Sequence, residues 1–197
     1  MCRLRSKATA TRSPCPPGYA ALVAGELVVR EARADDARAI AEVSVASRRW
    51  SYRDLVAERD LEVLSVEQTT ADFAKGLVEL PPGGAVFVAE LAGCVVGYAY
   101  VLPSPDEDVS AQTSELGSIY VTEEVAGTGV APTLMDAAIE HAHANGQSIL
   151  TLWVRRENSR ARRFYEKQGM RPDGAERSRP HDVLPTEMNE IRYRMSL

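Results

Sequence analysis

The segment 121–132, VTEEVAGTGVAP, constrains this chain of 197 residues more than any other. A run with strand composition, ELGSIYV (115–121), leads into it, and a run with helical periodicity starting at Pro132 leads out. A turn of this kind aims successive backbone N–H groups at one point and adds the positive end of a helix dipole. Gly127, Gly129 and Ala131 put no bulky side chain in the way, so an anion such as a diphosphate fits. A plain tight turn that needs small residues is the structural alternative. Two other phosphate motifs are excluded. The P-loop requires Gly-Lys-Ser/Thr, whereas Gly129 is followed by Val130 and Ala131. The dinucleotide fingerprint follows an early first strand, whereas here the turn follows the fourth and Pro132 takes the third glycine's place.

The rest of the chain supplies alternating strands and helices. LVVRE (27–31) reads as a strand, and Asp35 or Asp36 as the cap of a helix carrying Ile40, Val43 and Ala46. A second helical stretch is expected over 51–64. A third starts at Ser65 or Val66, with Ser65 and Gln68 as a capping box, and runs to about Leu77. AVFVAE (85–90) and VVGYAYVL (95–102) form a hairpin around Ala92-Gly93. The polar stretch 103–113 is a loop, and Gly117 in the next strand marks a bulge or a close backbone approach. The helix from Pro132 stops at Gly146. SILTLWV (148–154) is a buried strand, Asn158 caps SRARRFYEKQ, Gly169 ends it, and EIRYRMSL (190–197) is the last strand. The order β-α-α(α)-β-β-β-α-β-α-β predicts one α/β domain over 26–197, a mixed central sheet flanked by helices.

Composition narrows the function classes. Hydrophobic residues make up 45% and charged residues 26%, ordinary globular values that exclude a disordered chain. No apolar run reaches the roughly 18–20 residues of a membrane span. The net charge of −5 argues against a nucleic-acid binder, since phosphate neutralisation needs excess Lys and Arg. Residues 1–25 hold Arg3, Arg5, Lys7 and Arg12 and no acid, which predicts a basic, disordered extension; a transit peptide is the rival reading. The remainder has 19 basic and 28 acidic residues, an acidic body that modestly attracts cationic substrates. Cys2, Cys15 and Cys94 form no Cys/His cluster, which predicts a reducing compartment and no metal. His141 and His143 read as surface residues. The excess of Arg over Lys, 20 to 3, suggests a GC-rich, bacterial coding sequence and a cytoplasmic protein.

Two segments carry a family resemblance. IYVTEEVAGTGVAPTLM (119–135) and LWVRRENSRARRFYEKQGM (152–170) resemble, in order and spacing, the coenzyme-binding motifs of the GNAT superfamily of acetyl-CoA-dependent N-acetyltransferases. The second contains the Asn-x-x-Ala-x-x-Phe-Tyr-x-x-x-Gly pattern, and the opening from residue 27 is similar to the family's first strand and substrate-side helices. The resemblance implies a single GNAT-type domain, acetyl-CoA as co-substrate, and a small-molecule or peptide amine as acceptor, without nucleic acid or membrane. It implies coenzyme contacts from Ile119, Tyr120, Val121, Ala126, Gly127, Thr128, Gly129, Val130, Ala131, Asn158 and Tyr165. Family members are often homodimers, though no residue here specifies an interface. Two departures stand out. Ala126 occupies a position that is commonly Arg or Gln, and Trp153 stands where the ribosomal-protein N-terminal acetyltransferases carry a glutamate base.

Acetyl transfer to an amine needs a base, because alkyl amines of pKa about 10 are mostly protonated at neutral pH. It also needs an acid for the leaving thiolate and a donor for the oxyanion, such as a backbone N–H near Val121. Tyr165 is the acid candidate; it lies seven residues, about two turns, after Asn158 on one helix face. A core tyrosine beside Phe164 is the alternative. Glu115, twelve residues before Gly127, is the base candidate, with water-relayed deprotonation as its rival. Trp50 and Tyr52 are candidates for the acceptor pocket or for core packing. Loop 103–113 and segment 177–187, with Pro180 and Pro185, border the acceptor side. Arg155, Arg156, Arg160, Arg162 and Arg163 read as a solvated face paired with Glu157 and Glu166, with contact to the adenosine phosphates as the rival. A non-catalytic acetyl-CoA sensor is the alternative function.

Overall fold

The computed structural model describes residues 25–180 and 186–197. The expectations for 1–24, including Cys2 and Cys15, and for His181 and Pro185 lie outside the described residues.

Seven strands form one sheet in the order β1-β2-β3-β4-β5-β7-β6. They are β1 (Leu27–Glu31), β2 (Ala85–Leu91), β3 (Cys94–Pro103), β4 (Thr113–Val121), β5 (Ile149–Arg155), β6 (Arg171–Pro180) and β7 (Glu187–Ser196). Every neighbouring pair is antiparallel except β4 and β5. The helices are α1 (Ala37–Tyr52), α2 (Glu58–Leu61), α3 (Val66–Val78), α4 (Val130–Ala144) and α5 (Ser159–Lys167). Alternation along the strands divides the core between the two faces. Val96, Ala99, Leu116, Leu150, Leu152 and Val154 pack with Leu134, Met135 and Ala138 of α4 and with Phe164 and Tyr165 of α5. On the opposite face Val86, Val88 and Tyr98 meet Ile40 and Val43 of α1 and Phe73 of α3. This is the mixed sheet flanked by helices that the element order predicts.

Local chemistry accounts for most element ends. Ser65 accepts the Gln68 N–H at 3.2 Å and caps α3. Ala92 and Gly93, both at positive φ, close the β2–β3 hairpin. Gly117 is a bulge: Tyr100 pairs with Ser118 and Val101 with Leu116, which leaves Gly117 unpaired. A Cβ there would meet Leu102 and Tyr100 at 3.1 and 3.2 Å, so the close approach and the bulge coincide. Asn158 Oδ1 accepts the Ala161 N–H at 3.0 Å and caps α5.

Five expectations are corrected. Asp36 makes no cap to α1; its buried carboxylate takes the Arg30 guanidinium at 2.7 and 2.8 Å and the Arg33 N–H at 2.7 Å. Past the end of α1 at Tyr52, the stretch 51–64 holds only the single turn α2. The N–H groups of Leu55 and Val56 both donate to the Tyr52 carbonyl, and this turns their side chains onto Val45, Leu61 and Leu64. His141 is half-buried, edge-on against Phe87 with ring centroids 5.6 Å apart. Strand β6 was not anticipated, because RPDGAERSRP has neither apolar alternation nor β-branched residues. It is an edge strand paired with β7 alone, where proline and polar residues are tolerated. Cys94 is disulfide-bonded, which the reading of the cysteines as those of a reducing compartment did not anticipate. No helix among the described residues is long and apolar enough to cross a membrane.

Candidate active site

The parallel β4–β5 ladder has three rungs, Thr113–Ile149, Ser114–Leu150 and Glu115–Thr151. Beyond them the strands part, so Leu116 to Val121 of β4 and Leu152 to Arg155 of β5 have no strand partner on their facing edges. The bulge at Gly117, at the point of parting, bends β4 away. A cleft of about 1000 Å³ fills the gap. An unpaired strand edge inside a sheet offers backbone N–H and C=O groups to an extended ligand, as β-augmentation does.

The glycine turn closes one end of the cleft. Gly127 and Gly129 have φ of +80° and +99°, and α4 starts at Val130, two residues before the expected Pro132. The turn uses some of its amides internally: Val125, Ala126 and Thr128 donate to Thr122, Glu123 and Val125 carbonyls at 3.2–3.3 Å. The N–H groups of Gly127 and Gly129 donate to no backbone carbonyl among the described residues. Those of Val130 and Ala131, in the first turn of α4, have no partner within the helix. The anion cradle is therefore narrower than the sequence suggested, with four amides at the dipole end of a 15-residue helix. Thr128 folds its hydroxyl back onto the Val125 carbonyl at 2.7 Å, and Val130 is buried in the core.

The cleft brings together most of the sequence candidates. Trp50, Tyr52, Ile119, Tyr120, Val121, Ala126, Gly127, Ala131, Asn158 and Tyr165 line it, while Glu115, Thr128, Gly129 and Val130 do not. Tyr165 stands with its ring 6.3 Å from that of Tyr193, and its hydroxyl makes no hydrogen bond among the described residues. Burial, with a smaller push from Tyr120, raises its pKa, so it keeps its proton at any ordinary pH. Tyr52 and Tyr120 face each other with hydroxyls 3.3 Å apart, which ties α1 to β4. Trp50 lies under the Arg160 guanidinium, 3.4 Å from the ring centroid, so it joins α1 to α5 at the rim of the cleft. Ser47 donates to the Val121 carbonyl at 2.7 Å and holds α1 against the end of β4.

Glu115 sits just behind the cleft wall, on the last rung of the ladder. Its Oε2 is buried without a hydrogen bond among the described residues. Burial above all, then Asp106, pushes its pKa up to about 6, with Arg177 opposing. Such a carboxyl exchanges protons near neutrality, as a general base must.

The sequence missed one residue of this site and misread one run. Arg48 lines the cleft with its guanidinium 5.7 Å from the Tyr120 ring. Only its place on the α1 face that meets the sheet could have marked it. The arginine run is not one solvated face. Arg156 pairs with Glu176, Arg160 covers Trp50, Arg162 donates to Tyr193 at 3.2 Å, and Glu166 accepts from Tyr193. Arg155 belongs to β5 and lines the cleft. Trp153 donates to Asp106 at 3.0 Å under Arg177. Among the described residues no group of three or more His, Cys, Asp or Glu is placed to hold a metal ion.

Comparison with known proteins agrees with this geometry. The model of the Acetyltransferase (GNAT) family matches residues 32–170. An uncharacterized N-acetyltransferase of Mycobacterium tuberculosis is 35% identical over 106 residues, which is 54% of this chain and 64% of that protein. The match thus spans just under two thirds of that relative's length. A GCN5-related N-acetyltransferase from Rhodopseudomonas palustris is 27% identical with a TM-score of 0.68, covering 86% of this chain and 95% of its own. The PaiA N-acetyltransferase from Thermoplasma acidophilum, crystallised in complex with coenzyme A, shares the fold. Its TM-score is 0.64 at 18% identity, over 87% of this chain and 99% of its own.

Proposed function

The chain belongs to the Acetyltransferase (GNAT) family, and from that premise we propose that it transfers an acetyl group from acetyl-CoA to a primary amine within a ternary complex. The observation that carries this reading is the parting of β4 from β5 beyond Glu115 and Thr151, with unengaged amides of the glycine turn at one end of the gap. The N–H groups of Gly127, Gly129, Val130 and Ala131 would hold the diphosphate, and the bare edge of β4 from Leu116 to Val121 the pantetheine amides. The relative from T. acidophilum was crystallised with coenzyme A, in support of the same ligand here.

The coenzyme supplies an activated thioester; the chain supplies position and proton movement. Glu115, titrating near 6, takes the proton from the incoming ammonium through water, since it lies behind the cleft wall and not in it. The neutral amine adds to the thioester carbonyl, and a β4 backbone N–H stabilises the oxyanion. As the carbon–sulfur bond breaks, Tyr165 gives its proton to the sulfur and regains one from the nitrogen through water, while Glu115 releases its proton to solvent. The raised pKa of Tyr165 suits an acid that is always protonated at the start of the cycle.

Calorimetry with acetyl-CoA, followed by thiol release with a panel of amines, tests the reading. Heat of binding and amine-dependent thiol release are expected; no heat on folded protein overturns it. Binding without turnover on any amine would select the second reading, a non-catalytic sensor. Ala126 favours that reading, since it brings no basic side chain to the phosphates.

A further inference from the structure

Arg155, the last residue of β5, has donors that nothing among the described residues satisfies. Leu152 and Val154 enter the core under α4, so alternation sends Arg155 to the opposite face of the sheet, beside α1. It is 9% exposed and lines the cleft, with its guanidinium carbon 5.7 Å from the Tyr52 ring centroid. Its Nε and Nη1 are buried and make no hydrogen bond among the described residues. The carboxylate paired with it, Glu157, is half-exposed and stands 3.7 Å from Nε, beyond hydrogen-bond reach. Glu190, its cross-strand neighbour, is engaged by Arg177 at 2.7 Å and Arg179 at 3.0 Å. A second cation, Arg48, lines the same cleft.

Buried charged donors without acceptors are costly, and proteins retain them where a ligand supplies the acceptor. The planar fork of arginine matches a carboxylate with two parallel hydrogen bonds. We propose that the acceptor is an amine that also carries a carboxylate, an amino-acid-like molecule, and that Arg155 binds the carboxylate. The location suits this role. Arg155 lies four residues beyond Thr151, the partner of Glu115, so its Cα is about 13 Å farther along the cleft. The two long side chains and an acceptor of amino-acid size, with one water, span that interval. A polyamine or other purely cationic acceptor would bring its charge against two arginines. This inference rests on the acetyltransferase reading above.

The experiment pairs the common L-α-amino acids with the amines left by removing their carboxylates. Each is titrated calorimetrically into CoA-saturated protein and assayed for thiol release with acetyl-CoA. At least one amino acid is expected to bind about 10-fold or more tighter than its amine, a usual worth for a charge-assisted bidentate pair. Arg155→Met should abolish that difference and leave CoA affinity unchanged, and Arg155→Lys should retain part of it. Amines that bind as well as the amino acids overturn the proposal, as does a panel in which no member binds. A difference that survives in Arg155→Met, or a loss of CoA affinity in that variant, overturns it too. Failure of wild-type protein to bind CoA at all instead overturns the acetyltransferase reading on which it rests.

Discussion

Glu115 of β4 and Thr151 of β5 form the last rung of the parallel ladder, and the sheet opens immediately beyond them. The rung is held by the buried Thr151, whose hydroxyl donates to the Ser114 carbonyl at 3.2 Å. Glu115 is thereby fixed at the apex of the cleft, out of water but next to it.

That position sets a pH dependence. The Glu115 carboxyl titrates near 6, above its ordinary 4.5, because burial disfavours the charge. As a base it works only when ionised, so kcat/KM should rise with pH through an inflection near 6. Glu115→Gln should lower kcat about 10²–10⁴-fold and remove that inflection. Unchanged pH–rate behaviour would dismiss Glu115 as the base.

The same shift has a sign in stability. A carboxyl whose folded pKa lies above 4.5 binds its proton more tightly in the folded state. Its contribution is fully present below 4.5 and is lost as pH rises through about 6. At pH 7 Glu115→Gln should therefore stabilise the protein, by about 1–2 kcal/mol before solvent screening is allowed for. Chemical denaturation at pH 4 and pH 7 checks it: the gain should appear at pH 7 alone.

Tyr165→Phe keeps the ring that packs on Phe164 at 5.3 Å and removes only the proton donor. Turnover should fall about 10²-fold or more while the KM for acetyl-CoA stays within a few-fold. Steady-state thiol release with varied acetyl-CoA separates the two; equal turnover would remove Tyr165 as the acid.

Gly127 and Gly129 hold φ of +80° and +99° with open space where a Cβ would stand. A side chain there acts through backbone strain, not collision, at about 1–2 kcal/mol per residue. Gly127→Val, β-branched, should reorient the turn amides and lose CoA binding by calorimetry with the far-ultraviolet circular dichroism unchanged. Retained affinity would mean that the phosphates bind elsewhere.

Arg30 holds buried Asp36 through two hydrogen bonds and Glu90 through a third at 2.8 Å. Arg30→Met removes both of these hydrogen bonds from the Asp36 carboxylate, which is 1% exposed. The cost of breaking such a buried pair is about 3–5 kcal/mol. A fall in Tm of roughly 6–20 °C follows for a domain of this size. Thermal melting that shifts by less than a degree or two would show that Asp36 does not depend on Arg30.

Local signals were legible where neighbouring residues decide the conformation. Ser65, Asn158, Gly93, Gly117 and Gly169 act where their chemistry said they would, because caps, turns and bulges involve atoms a few residues apart. β6 and Asp36 were illegible for the opposite reason. An exposed edge strand carries no apolar pattern, and whether an aspartate caps a helix or meets a distant arginine depends on what the fold brings near it.

The sequence alone determined an α/β chain with a strand, a glycine turn and a helix built to accept an anion, since period, capping and positive φ are properties of a few adjacent residues. Only the tertiary structure decided where β4 and β5 part, that Glu115 stands at that apex with a raised pKa, and that Arg155 leaves its arginine run to face the cleft. Strand register and burial are set by residues far apart in the chain. The same glutamate or arginine becomes a solvated charge or a chemical group according to what the sheet places around it.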